Sequence, residues 1–201
     1  MLDKLNETLM LVSIKEMKVN SIYQFTLVLD GVDEKTPGLE DALFEAGCDD
    51  ALINYKNGVV YLDFDREGVA LEATIISAIK DIESADVGAL IVSVAPEHLV
   101  SLSDIADRVS ITRQAVSLLM QGARGPGNFP KPMLKISNKS PLWRWSAVAE
   151  WFYKQGKIRD YGVIDSANVV EDINAALELR NKKSFAHKRK ILGELQKVRV
   201  A

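Results

Sequence analysis

The chain has 201 residues, 25 Lys plus Arg against 28 Asp plus Glu (net −3), and 47% apolar residues, enough for one large domain or two small ones with their own cores. No apolar run approaches the roughly 18 residues that span a bilayer. The opening stretch lacks the basic head, apolar core and small-residue cleavage site of a secretory leader, and the single cysteine, Cys48, excludes an internal disulfide, so a cytoplasmic protein with no membrane partner is expected.

Met1 to Met17 carries Leu2, Leu5, Leu9, Met10 and Val12 in partly helical spacing, so residues 1–20 read as a helical N-terminal extension; Met17 offers a second start. Ile22 to Leu29 is then a β-rich run. Leu39 to Ala46 reads as a short amphipathic helix ending at Gly47, and Ala51 to Tyr55 and Val59 to Phe64 as strands joined by Asn57-Gly58, a strong hairpin signal. Leu71, Ile75, Ala78, Ile79 and Ile82 give helical spacing over Val69 to Ile82, and Ala89 to Val94 is a strand of buried type. The order βαββαβ predicts a ferredoxin-like sandwich over residues 21–96. Domains of that kind bind small ligands, pair with copies of themselves through the sheet or hold a neighbouring domain in place, so a protein or small-molecule partner is open here.

Asp49, Asp50, Asp63, Asp65 and Glu67 admit a reading as oxygen ligands for a hard cation, but strand ends and turns are solvated and often acidic, and the solvated reading is preferred. Cys48 has no His or second Cys near it in sequence, and His98 and His187 are too few and scattered for a zinc set. No metal or cofactor is called for.

From Ser101 the pattern changes. Ser101 can cap a helix with Asp104 at its third position, Val100 and Ile105 have hydrophobic-staple spacing, and Leu102, Ile105, Ala106 and Val109 line one face. Thr112 can cap a second helix whose inner face is Ala115, Val116 and Leu119. Its outer face is Arg113, Gln114 and Ser117, with Gln121 near the end. Arg can pair bidentately with guanine and Gln with adenine, although any exposed helix face carries such residues. Gly122 to Pro132 breaks the helix. Met133 to Ser137 then reads as a strand, Ser137 to Pro141 as a turn containing Lys139, Leu142 to Trp145 as the returning strand, and Ser146 as the cap of a closing helix that stops at Gly156. This is helix, turn, helix, wing, helix over residues 97–160. Trp143, Trp145 and Trp151 belong to its core.

The run from Leu102 to Phe152, with Phe129-Pro130-Lys131-Pro132 after the second helix and Trp143-Arg144-Trp145-Ser146 before an Ala-Val-Ala-Glu-Trp helix, resembles the AlpA and excisionase-like branch of the MerR-type winged helix-turn-helix proteins. The resemblance covers about a quarter of the chain and implies double-stranded DNA binding, with the second helix in the major groove and the wing on the backbone. The chain departs from the family's short link: its Gly122 to Gly127 loop is longer and richer in glycine.

In residues 161–201, Val170, Ile173, Ala176 and Leu177, and then Phe185, Ile191, Leu192, Leu195 and Val198, mark a helical tail whose stripes need a partner surface. Docking on their own chain is one solution and homodimerisation the other. Lys182-Lys183 and Lys188-Arg189-Lys190 add phosphate contacts or form a solvated face.

Charge is unevenly distributed: residues 1–95 sum to −11, residues 96–160 to +5 and residues 161–201 to +3. Only the second domain is suited to phosphates. The expectation is an α+β, DNA-binding transcriptional regulator: Arg113, Gln114, Ser117 and Gln121 toward bases, Thr112 and Arg124 on the backbone, and Lys131, Lys135, Lys139 and Arg144 along the wing. A DNA-bending recombination accessory and an adaptor acting through the acidic front are the alternatives. No nucleophile, base and orienting group coincide, so no enzyme is expected.

Overall fold

A computed structural model describes residues 20–136, 140–180 and 185–198, an α+β arrangement with seven helices and a four-stranded antiparallel sheet among the described residues. The expected extension within 1–20 lies outside them, apart from Asn20, as do Lys139, Lys182 and Lys183.

The sheet is built from β1 (Ser21–Asp30), β2 (Ala51–Lys56), β3 (Val59–Gly68) and β4 (Leu90–Ala95), in the order β2-β3-β1-β4, with α1 (Leu39–Glu45) and α2 (Leu71–Ser84) in the two crossovers. Strict alternation fixes the register of its central pair. Phe25 faces Phe64, Leu27 faces Leu62 and Leu29 faces Val60, and all six side chains are buried. The Phe25 and Phe64 rings stack at 5.1 Å. Asn57 and Gly58 have φ of 55° and 78°, the doubly left-handed turn that matches strand twist, and Lys56 pairs with Val59 across it. Helix α2 lays Ile75, Ala78, Ile79 and Ile82 on this core. Between β1 and β4 the register shifts, with Val28 opposite Ser93 and Leu29 opposite Ile91, so Val92 is the extra residue of a bulge.

The second core is assembled from β5 (Leu99–Val100), α3 (Leu102–Arg108), α4 (Arg113–Met120), β6 (Trp143–Arg144) and α5 (Trp145–Lys154). Val100, Ile105, Val116, Trp143, Val148, Ala149 and Phe152 are its most deeply buried members. Here the expected strand is corrected over its described residues: Met133 to Ile136 meets the returning segment at a Leu134–Leu142 antiparallel bridge, with Lys135 at φ of 52°, and Ser137 to Lys139 lie outside the described residues. The returning segment also pairs with the entry to the module, Val100 with Trp143 and Leu99 with Arg144. The cap is corrected too. Helix α5 begins at Trp145, whose N–H donates to the His98 carbonyl at 2.8 Å, and the Ser146 hydroxyl donates to Glu171 Oε2 at 2.8 Å rather than capping.

Helix α6 (Gly162–Arg180) belongs to both cores, with Ile164 and Ala167 in the second and Val170 and Ile173 in the first. One buried side chain locks it in place. Asn174 Oδ1 accepts from the Val94 N–H at 2.8 Å and its Nδ2 donates to the Val94 carbonyl at 2.9 Å. Strand β4 is an edge strand, so the amide stands in for a missing strand partner. Arg180, at the far end, donates to both carboxylate oxygens of Glu83 and to the Ile91 carbonyl. Helix α7 (Phe185–Val198) follows with Phe185, Ile191, Leu192 and Leu195 exposed.

Replacing Asn174 by Ala leaves a buried N–H and a buried carbonyl unsatisfied, so urea denaturation of Asn174→Ala is expected to show a loss of about 3 kcal/mol. An unchanged midpoint would mean that water replaces the amide without cost.

Candidate nucleic-acid interface

Local bonds set the position of α4 before any packing is considered. The Asp104 N–H donates to Ser101 Oγ at 3.3 Å and the Ser101 N–H to Asp104 Oδ2 at 2.7 Å, a complete capping box on α3. Helix α3 ends in a Schellman motif: Ser110 takes φ of 54°, and the Ile111 N–H returns to the Ala106 carbonyl at 2.9 Å. Two residues later Thr112 Oγ1 accepts from the Ala115 N–H at 3.1 Å and starts α4. The turn is short because a stop and a start share it.

Val116 anchors α4 in the core, with Ala115 and Leu119 half-buried beside it. Arg113, Gln114 and Gln121 are exposed and Ser117 half-exposed, and spacings of three and four residues put them on one side of the helix. Gln121 Nε2 donates to Ser117 Oγ at 3.2 Å, so these two form one polar unit. Thr112 is exposed at the N-terminus, its hydroxyl proton not used by the cap.

The glycine-rich loop is held against the module by aromatic side chains. Phe129 enters edge-on among Trp151, Trp143 and Phe152, at centroid distances of 5.1, 6.4 and 6.2 Å. The Trp151 indole N–H donates to the Gly127 carbonyl at 3.2 Å and the Trp143 indole N–H to the Pro130 carbonyl at 3.0 Å. Gly125 has φ of 78°, and a Cβ there would lie 2.8 Å from a Leu119 methyl, so the loop packs closely on the end of α4. Arg124 and Lys131 are exposed on this pinned loop, and Lys135 is exposed just beyond it. Lys139 lies outside the described residues. Arg144 is engaged within the chain: its Nε lies 3.1 Å from Glu171 Oε1 and 3.1 Å from Met133 Sδ.

Arg108, which sequence reasoning passed over, lies over the Trp145 ring at 5.0 Å and donates from Nη2 to the Glu97 carbonyl at 3.1 Å. Its Nη1 is buried without a partner among the described residues, and burial lowers its pKa.

The carboxylates of the front domain do not converge on a cation site. Arg66 takes both oxygens of Asp50 at 2.7 and 2.8 Å, one of Asp81 at 2.6 Å and the Gly47 carbonyl at 2.7 Å. On the open face of β3, Asp63 accepts from Thr26 and Asn54, and Asp65 from Gln24. Among the described residues no group of three or more His, Cys, Asp or Glu is arranged to hold a metal. Burial pushes the Cys48 thiol up to about 11, so it is protonated at neutral pH. No described helix is long and apolar enough to cross a membrane.

Compared with known proteins, the chain matches no family model, no curated protein and no solved structure.

The side chain of Arg66 is only 10% exposed, and truncating it strands its two partner carboxylates. Arg66→Ala is therefore expected to lower the unfolding free energy by about 3 kcal/mol, the low end for a broken buried pair because both aspartates are partly solvated. Chemical denaturation checks this, and a loss within error of zero would remove Arg66 from the core's supports.

Proposed function

We propose that this chain is a sequence-specific DNA-binding transcriptional regulator, with a ferredoxin-like front domain and a winged helix-turn-helix behind it. The observation that carries the reading is the outer face of α4: Arg113, Gln114, Ser117 and Gln121 stand on one side of a helix capped by Thr112 whose opposite side is fixed in an aromatic and aliphatic core. Support for the winged form comes from the capped α3–turn–α4 unit, the pinned loop that follows, and the return through Trp143 into α5. The βαββαβ order with strand order β2-β3-β1-β4 supports the ferredoxin-like assignment.

In this reading α4 lies in the major groove, where Arg113 and Gln114 address base edges by bidentate hydrogen bonds and the Ser117–Gln121 pair presents a further donor and acceptor. Thr112 and Arg124 flank the helix and fix it on the phosphates; Lys131 and Lys135 follow the backbone beside it. Arg144, shared with Glu171, steadies the wing more than it binds. A single small module covers little DNA, so the regulator acts as a homodimer, and the exposed stripe of α7 is the surface suited to pairing.

Fluorescence anisotropy on the duplex upstream of its own gene and on random duplex, across a salt series, tests the reading. Preference for the former with binding that weakens as salt rises is expected. Arg113→Ala should cost about 1–3 kcal/mol at one base position, whereas Lys131→Ala should weaken all sequences alike and lower the salt slope by about 1. Equal effects of Arg113→Ala on both duplexes would overturn the base-reading role.

A further inference from the structure

We propose that the cleft where the two cores meet is a binding site for a small organic cation, a primary amine carrying an apolar or aromatic body, and that its occupancy regulates the module. The cleft has a volume of about 390 Å³, within the range of small-molecule sites, and it lies at a junction of two cores, where such sites concentrate. Its walls come from every part of the molecule that bears on that junction. Tyr23 and Phe25 come from β1, Glu97 and His98 from the segment joining β4 to β5, Trp145 from the start of α5, and Asp160 with Val170 from α6 and its lead-in.

The lining favours a cation for three reasons. Its charged side chains are the two carboxylates, Glu97 and Asp160, and no Lys or Arg lines the cleft among the described residues. Neither carboxylate is saturated internally. Among the described residues Asp160 Oδ1 accepts only the Gly162 N–H, at 2.8 Å, while Glu97 has only a long ion pair with Arg108, at 3.7 Å, and its side chain is 78% exposed. The aromatic rings supply the third reason. Trp145 already carries one cation against its ring, that of Arg108, and Tyr23 and Trp145 together offer the electron-rich surface that ammonium groups prefer. Ile22, Leu71 and Val163 complete an apolar floor for the ligand's body.

Coupling follows from which bonds form the wall. The Trp145 N–H to His98 carbonyl bond, at 2.8 Å, joins the front-domain link to the first residue of α5. Six and seven residues along the same helix, Trp151 and Phe152 hold the loop that backs α4. An occupant touching β1, the link and Trp145 at once favours one placement of the module relative to the sheet, and it stabilises the chain by mass action.

The test uses the full-length protein and phenethylamine, with phenylacetate as the anion of like body. Ligand-observed NMR and thermal unfolding should show saturable amine binding and a raised Tm, with phenylacetate at least roughly tenfold weaker. Glu97→Gln with Asp160→Asn should weaken the amine by a similar factor; Asn at 160 can still accept the Gly162 N–H, so the start of α6 is kept. Ser166→Trp, an exposed position on the cleft wall, should abolish binding without lowering Tm. No saturable binding at millimolar amine, binding indifferent to the neutralised carboxylates, or binding that survives Ser166→Trp overturns the site. In a second arm, saturating amine should change the affinity for the upstream duplex in the wild type and not in Ser166→Trp; an unchanged affinity overturns the regulatory role. That role rests on the DNA-binding reading, whereas the first arm needs no DNA, so failure of either is seen separately.

Discussion

The bond pair between Asn174 and the backbone of Val94 is the constraint on which the arrangement of the two cores depends. An edge strand must have its outward N–H and carbonyl satisfied, and here a single amide on α6 supplies both. The register of α6 against the sheet is thereby set to one residue. Ten and seven residues before Asn174, Ile164 and Ala167 reach the second core, so the same helix that seals the sheet also places the module. Glu171, between Ala167 and Asn174, receives Ser146 and Arg144. The result is one helix shared by both cores where two domains are commonly joined by a linker.

Around α4, the chain spends its aromatic residues on a loop that would otherwise be costly to order. Gly122, Gly125 and Gly127 all take positive φ, and a stretch so rich in glycine loses much entropy on folding. Phe129 and the two indole N–H donors offset that loss, and each does so from the core side, leaving the polar side chains of the loop facing outward. A rigid helix beside a pinned loop is a surface of fixed shape, suited to recognising a ligand of fixed shape.

Much of the fold was legible in the sequence because its signals are local. The Asn57-Gly58 hairpin, the Ser101/Asp104 and Thr112 caps and the alternation of β1 and β3 each depend on residues within a few positions of one another. What escaped detection depends on long-range partners. The role of Arg66 emerges only from the fold, which brings Asp50, Asp81 and Gly47 around it. Ser146 had the right spacing for a cap, but Glu171 competes for its hydroxyl from another helix. The pairing of the wing's returning segment with the entry to the module is long-range too: Val100 and Trp143, 43 positions apart, are paired and both fully buried. Of the site, the outer face of α4 was readable from spacing alone, whereas the engagement of Arg144 by Glu171 was not.

The uneven charge of the chain has a kinetic meaning. With −11 on residues 1–95 and positive sums on the two segments that follow, the molecule is a dipole as well as a weak anion. In the field of any polyanion such a body feels a torque before it feels contact, turning its acidic end away and its basic end forward. Orientation then precedes collision. Fewer encounters are wasted on wrong faces, and this advantage fades within a Debye length as ionic strength rises. In such a field the acidic front domain turns away and the basic half leads.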